Sequence, residues 1–161
     1  MNRNVPSPTA PKVSLLPTGQ WTLNDARQYL QLNRDDGVHC PACDQFVKVY
    51  RRRMYGAQVR TLIYAYRQFG QDFFHLSVLD GKQVGVRQAD FPKLEYWALI
   101  EKHHDKPHYR ITDRGVAFIE RRLAVPETIV LYDGHLQGFE GVNKHIDQVL
   151  PKQFDYQELM S

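Results

Sequence analysis

Apolar positions recur at helical spacing in some stretches and alternate in others, and this sets the expected order of elements. Val59, Leu62, Ile63, Tyr66 and Phe69 form the clearest stripe. Their spacing predicts an amphipathic helix that Gly70 ends. A second helix is expected from Asp90 to Glu101: Asp90 can cap it, and Pro92 sits in the first turn, where a missing N–H costs nothing. Leu94, Trp97, Ala98 and Ile100 or Glu101 then follow at helical spacing, which places Trp97 in the core with Leu94, Ile100, Val59, Leu62 and Ile63. After His104, Asp105-Lys106-Pro107 signals a turn, and His108 to Thr112 alternates as a half-buried strand does. Thr112 ends that strand and caps a further helix, whose stripe of Val116, Ala117, Phe118, Ile119 and Leu123 is terminated by Pro126.

The flanks are shorter. Four prolines (Pro6, Pro8, Pro11, Pro17) mark residues 1–20 as a flexible arm. A helix is expected from Asn24 or Asp25 to Leu32, with Ala26, Tyr29, Leu30 and Leu32 inward and Trp21 packed against it. Phe46 to Arg52 alternates as a strand, Phe73 to Leu79 fits a short one, and Asp80-Gly81 makes a turn. Thr128 to Tyr132 and His135 to Phe139 flank Asp133-Gly134, the strongest hairpin signal in the chain. That hairpin can extend a neighbouring sheet or pair with a second copy in a homodimer. Asn143 can cap a short helix carrying Ile146, Val149 and Leu150 that Pro151 stops, and Phe154 to Met160 forms an acidic-aromatic tail able to dock on this chain or on another. The expected segments are the arm (1–20), a helix and knuckle (21–53), a core (54–126) and a C-terminal hairpin, helix and tail (127–161).

An apolar helix ending in Leu99-Ile100-Glu101, a short hairpin, and Ile111-Thr112-x-x-Gly115 together resemble the second half of a winged helix-turn-helix domain. The resemblance implies an α+β fold in which Asp90–Glu101 is the recognition helix and the following hairpin is the wing. The positioning helix of that family would fall between Gly81 and Ala89, where no helical pattern is found. With a Cys-Pro-x-Cys turn ahead of it, the order also resembles small proteins encoded in tailed-phage genomes, which implies the host cytoplasm as its setting.

Composition narrows the functional classes. The chain has 161 residues, is 42% hydrophobic and carries a net charge of +3. That is enough apolar material for a core. No apolar run reaches the roughly 18 residues of a membrane span, and no apolar leader is present, so a soluble cytoplasmic protein without a membrane partner is expected. From Phe46 to Gly70 there are six Lys or Arg and no acid, whereas Pro126 to Ser161 holds two bases and six acids. This asymmetry fits a one-sided basic surface or a merely solvated basic segment.

A Gly-rich phosphate loop, a nucleophile elbow and a His-Glu-x-x-His motif are all missing from the sequence, which points away from an enzyme. The leading expectation is a transcriptional regulator that binds double-stranded DNA. Lys93 and Tyr96 would face bases, while Arg51, Arg52, Arg53, Lys102, Lys106, His108, Arg110 and Arg114 would grip phosphates. The alternative is an interaction module that binds a host protein such as a polymerase, nuclease or defence factor. Cys40-Pro41-Ala42-Cys43 points two thiols to one side and can grip a tetrahedral ion, yet zinc needs four ligands and no second cysteine pair exists. His39, His75, His103, His104 or His108 would have to complete it. No cofactor is therefore expected, zinc being the ion this degenerate knuckle would take. Asp44 stands where zinc ribbons usually place Gly.

Overall fold

The structure is a computed structural model that describes residues 20–79 and 87–161. The arm to residue 19, the Asp80-Gly81 turn and most of the stretch read as lacking a positioning helix lie outside the described residues. The fold is mixed α and β, and the chain divides into two units at Val49/Tyr50.

In the first unit, helix α1 (Leu23–Asn33) starts one or two residues earlier than Asn24 or Asp25 would place it, because Thr22 and Asp25 cap it reciprocally. Ala26 is buried and Trp21 meets Tyr29 edge-on at 5.3 Å, but Leu32 faces solvent. Strands β1 (Val38–His39) and β2 (Phe46–Val47) then form a small antiparallel hairpin around the cysteines. The expected strand from Phe46 to Arg52 is thus broken in two, its second part being β3 (Val49–Arg53).

The second unit is built around helix α2 (Gly56–Phe69), which ends at Gly70 as its stripe predicts; Val59, Leu62, Ile63 and Ala65 are buried. Strand β4 covers only Phe74–His75, and Leu76–Leu79 forms a 3-10 turn instead of completing a strand, with Leu79 driven inward. The segment expected as a long helix is a 3-10 helix, Gln88–Trp97. Asp90 is inside it and buried, so it is not the cap. Ala98 then adopts a left-handed conformation (φ 56°), and Ile100 and Glu101 leave the helix for strand β5 (Ile100–Lys102). The helix ends at the left-handed Ala98, beyond which β-branched Ile100 finds a partner in Ile111 across the sheet.

Strand β6 (His108–Ile111) pairs with both β4 and β5, giving the order β4-β6-β5. Thr112 caps helix α3 (Asp113–Ile119), its hydroxyl accepting from the Gly115 amide at 3.0 Å. Helix α3 stops well before Pro126, with Arg121 at φ 61°. Pro126 belongs instead to strand β7 (Val125–Tyr132), where it stands opposite Asn143 next to a register irregularity. Strand β8 (His135–Lys144) returns through the Asp133-Gly134 turn, both residues at positive φ, and the order β3-β7-β8 results. Both strands are longer than the hairpin signal suggested. Asn143 therefore lies in β8, and His145 precedes helix α4 (Ile146–Val149). The tail ends in helix α5 (Tyr156–Met160) and docks on its own chain: the Tyr156 hydroxyl donates to the Ile119 carbonyl at 2.6 Å, and Arg60 lies 3.6 Å over the Phe154 ring.

One core joins these parts. Trp97, Phe91, Phe118 and Leu94 pack with Val59, Leu62, Ile63, Ile100, Ile129 and Ile146. The Trp97 indole N–H donates to the Pro126 carbonyl at 2.7 Å, which satisfies the one polar atom of a buried ring. Trp97→Ala should cost about 3 to 5 kcal/mol in urea denaturation, since it empties the centre of the core and strands that carbonyl. Gly115 is needed for a different reason: a Cβ there would lie 2.1 Å from the Leu99 carbonyl oxygen. Gly115→Ala should lower stability by about 1 to 3 kcal/mol in the same assay, because backbone has to move.

Candidate nucleic-acid interface

Strand β3 buries Val49 and leaves Arg51, Arg52 and Arg53 exposed at its end. The next residues, Met54 and Gly56, are buried, and Tyr55 sits between them at the surface. The 3-10 helix buries Asp90, Phe91, Leu94 and Trp97, which turns Lys93 and Tyr96 toward β3 and β7. Arg52, Arg53, Lys93, Tyr55 and Tyr96 therefore meet around one open pocket of about 260 Å³, floored by Gln58, Trp97, Ile129 and Leu131. Four of the expected DNA-contacting residues come together here from positions about forty residues apart.

Acids hold this cluster in place. Lys93 Nζ lies 2.8 Å from the Asp90 carboxylate, and Arg53 reaches Glu127 at 3.4 Å. Burial pushes the Asp90 carboxyl up, but hydrogen bonds from Lys93 and Tyr55 and the charges of Lys93 and Arg87 outweigh it, leaving Asp90 below its usual value. Burial and the Asp90 contact push the Tyr55 phenol up to about 12, so it remains a neutral donor at ordinary pH. The hydrogen bond from Lys144, aided by Arg53, lowers Glu127. The Tyr96 hydroxyl donates to the Gly134 carbonyl at 2.9 Å, which ties it to the β7–β8 turn.

The remaining expected contacts are distributed elsewhere. Arg51 pairs with Glu140 at 2.9 Å on β8. Lys102, Lys106, His108 and Arg110 lie on the β5–β6 hairpin and do not line the pocket. Lys102 and Lys106 are exposed, and no ion pair engages them among the described residues. Arg110 pairs with Glu101 across the hairpin and lies 4.8 Å over the Phe73 ring. His108 turns inward, its Nδ1 buried and without a partner among the described residues, its ring 5.5 Å from His75. Arg114 donates to the Trp97 carbonyl at 3.0 Å and braces the end of the 3-10 helix. Tyr55, Asp90 and Glu127 were not singled out from sequence as site residues, and no spacing relates them.

At the knuckle, Cys40 is buried and Cys43 exposed. The Ala42 amide bonds the Cys40 sulfur and lowers the thiol, burial opposes this, and the Cys43 amide and thiol lower it further. Asp44 has φ 60° and its N–H donates to the Cys40 carbonyl at 2.8 Å, so it fills the left-handed position that Gly usually takes. His39 Nδ1 is engaged with the Asp44 carbonyl at 2.9 Å. The group of three potential metal ligands among the described residues is His103, His104 and Asp105 in the β5–β6 loop, and it does not include the cysteines. No described helix is long and apolar enough to cross a membrane.

No protein-family model, curated protein or solved structure matches the chain.

The Asp90 pairing makes a pH prediction. A carboxyl whose folded pKa is depressed stabilises the fold above its unfolded value, near 3.9, and that contribution is lost as pH falls through the folded value. Carboxyl-carbon NMR titration should find Asp90 below the usual carboxylate range, and Lys93→Ala should move it upward by removing its main partner.

Proposed function

We propose that this chain is a non-enzymatic, winged-helix-type protein that binds double-stranded DNA and acts as a cytoplasmic transcriptional regulator. The observation that carries this reading is the convergence of Arg52, Arg53 and Lys93 on one pocket beside Tyr55 and Tyr96. The strand order β4-β6-β5 supports it, because the helix before β5 and the loop after it then take the places of a recognition helix and a wing. In this reading Arg52, Arg53 and Lys93 take one phosphate, and Lys102 and Lys106 on the wing take another. Their partners Asp90 and Glu127 hold the side chains ready without neutralising the whole cluster.

Binding of this kind discriminates little between sequences. Tyr96 is tied to Gly134 and Lys93 to Asp90, so the two side chains expected to read base edges are already engaged. The fluorescence anisotropy of a labelled mixed-sequence duplex should rise on adding the protein at low salt and fall steeply as salt increases. Arg52→Ala should weaken binding to all duplexes alike and reduce the log-log salt slope by about one. No binding at low salt would sink the proposal.

A second reading, a module that binds a host protein, has its own support. Strand β8 lies at the end of the β3-β7-β8 order, and Phe139 and Val142 on it are 47% and 64% exposed. An edge of that length and character can accept a strand from a partner protein.

A further inference from the structure

We propose that strand β8 is a homodimer interface, pairing antiparallel with β8 of a second copy of this chain around a two-fold axis at Phe139. Among the described residues β8 has a strand partner on one side only, so its other edge presents backbone donors and acceptors along ten residues. Leu136, Phe139 and Val142 are exposed along it, at 39%, 47% and 64%. In a regular strand, residues three apart point to opposite faces. Here they do not, because β8 has one residue more than β7 at each of two places. Val130 and Leu131 pair with Gly138 and Leu136, which leaves Gln137 over, and Glu127 alone stands opposite Gly141 and Val142. Gly141, at φ 82°, takes the left-handed position that such a bulge uses. Each bulge resets the alternation, so all three apolar side chains come to one face, the face on which Ile129 of β7 is buried. They carry that apolar face past the edge of the sheet.

The pattern is symmetric about Phe139. Leu136 and Val142 lie three residues to either side of it, and the bulged residues Gln137 and Gly141 lie two. Antiparallel pairing centred there sets Phe139 against Phe139 of the second copy and Leu136 against its Val142. Bulge then meets bulge, and the new ladder stays in step. Charge selects the same register. Glu140, which Arg51 pairs within its own chain, faces Gly138 of the second copy, whereas an axis at Glu140 would set two carboxylates against each other. The Asp133 turn of each copy ends beside Lys144 and His145 of the other, so acid meets base at both ends. An unrelated strand need match none of these features, so the edge fits a second copy of this chain better than a host protein.

The test uses the full chain under reducing conditions. Sedimentation velocity should find a dimer in the micromolar range. Phe139→Asp places two carboxylates on the axis and should give a monomer. Val142→Asp, at the more exposed position, should raise the dimer dissociation constant by about tenfold or more while leaving the circular dichroism spectrum unchanged. On oxidation, Phe139→Cys should link two chains through residue 139 in peptides identified by mass spectrometry. Asn143→Cys faces His135 of the second copy and should not link to itself. A monomer at every concentration, a dimer that both aspartate variants leave intact, or self-linking at residue 143 in place of 139 would each overturn the proposal. No residue of the arginine and lysine pocket lies on β8, so a monomer that still binds duplex DNA would sink the dimer alone.

Discussion

The Trp97 indole joins the two sheets of the second unit. Its ring occupies the centre of the core, and its N–H bonds the Pro126 carbonyl of β7. A buried donor left without a partner costs about 1 to 3 kcal/mol, so this bond, with Val125 and Ile129 of β7 in the same core, holds β7 against the 3-10 helix. Strand β7 in turn carries β3 beside it. Arg52 and Arg53 are thereby brought opposite Lys93 and Tyr96, and the pocket follows from the placement of a core residue. Arg114, donating to the Trp97 carbonyl, secures the same junction from the side of α3.

Electrostatics then decides how that pocket behaves. Exposed pairs such as Arg51 with Glu140 are worth up to about 1 kcal/mol, so such a cation can exchange its carboxylate for a phosphate at small cost. Asp90 differs because it is buried and bonded by both Lys93 and Tyr55. Its negative charge is a fixed part of the cluster, and it makes Lys93 more a positioned cation than a mobile reader of bases. Lys102 and Lys106 on the β5–β6 hairpin, by contrast, are engaged in no ion pair among the described residues. In the proposed DNA-binding reading, two kinds of cation on one unit, braced and unbraced, suit contact with a repeating charge more than recognition of a particular base.

In the knuckle, backbone geometry replaces side-chain identity. Glycine is usual after the second cysteine because the chain must take positive φ there, and Asp44 takes it without being Gly. An Asp can adopt that region more readily than most residues, so a departure from the expected residue type left the turn intact.

The chain's own periodicity determined what depends on near neighbours. Helix α2, the capping of α3 by Thr112 and the Asp133-Gly134 turn all follow from spacing and local chemistry, because their hydrogen bonds close within a few residues. Trp97 was legible as core for the same reason. Tertiary structure decided the rest. Glu101 left its expected helix because β6 offered a strand partner, Pro126 left a helix terminus for β7, and His108 turned away from solvent toward His75. The pocket belongs with these: Tyr55, Asp90 and Glu127 meet the arginines only after the sheets have packed, and contacts between residues that far apart leave no period to read. Local order is written in adjacent residues, whereas the site depends on which buried surfaces fit together.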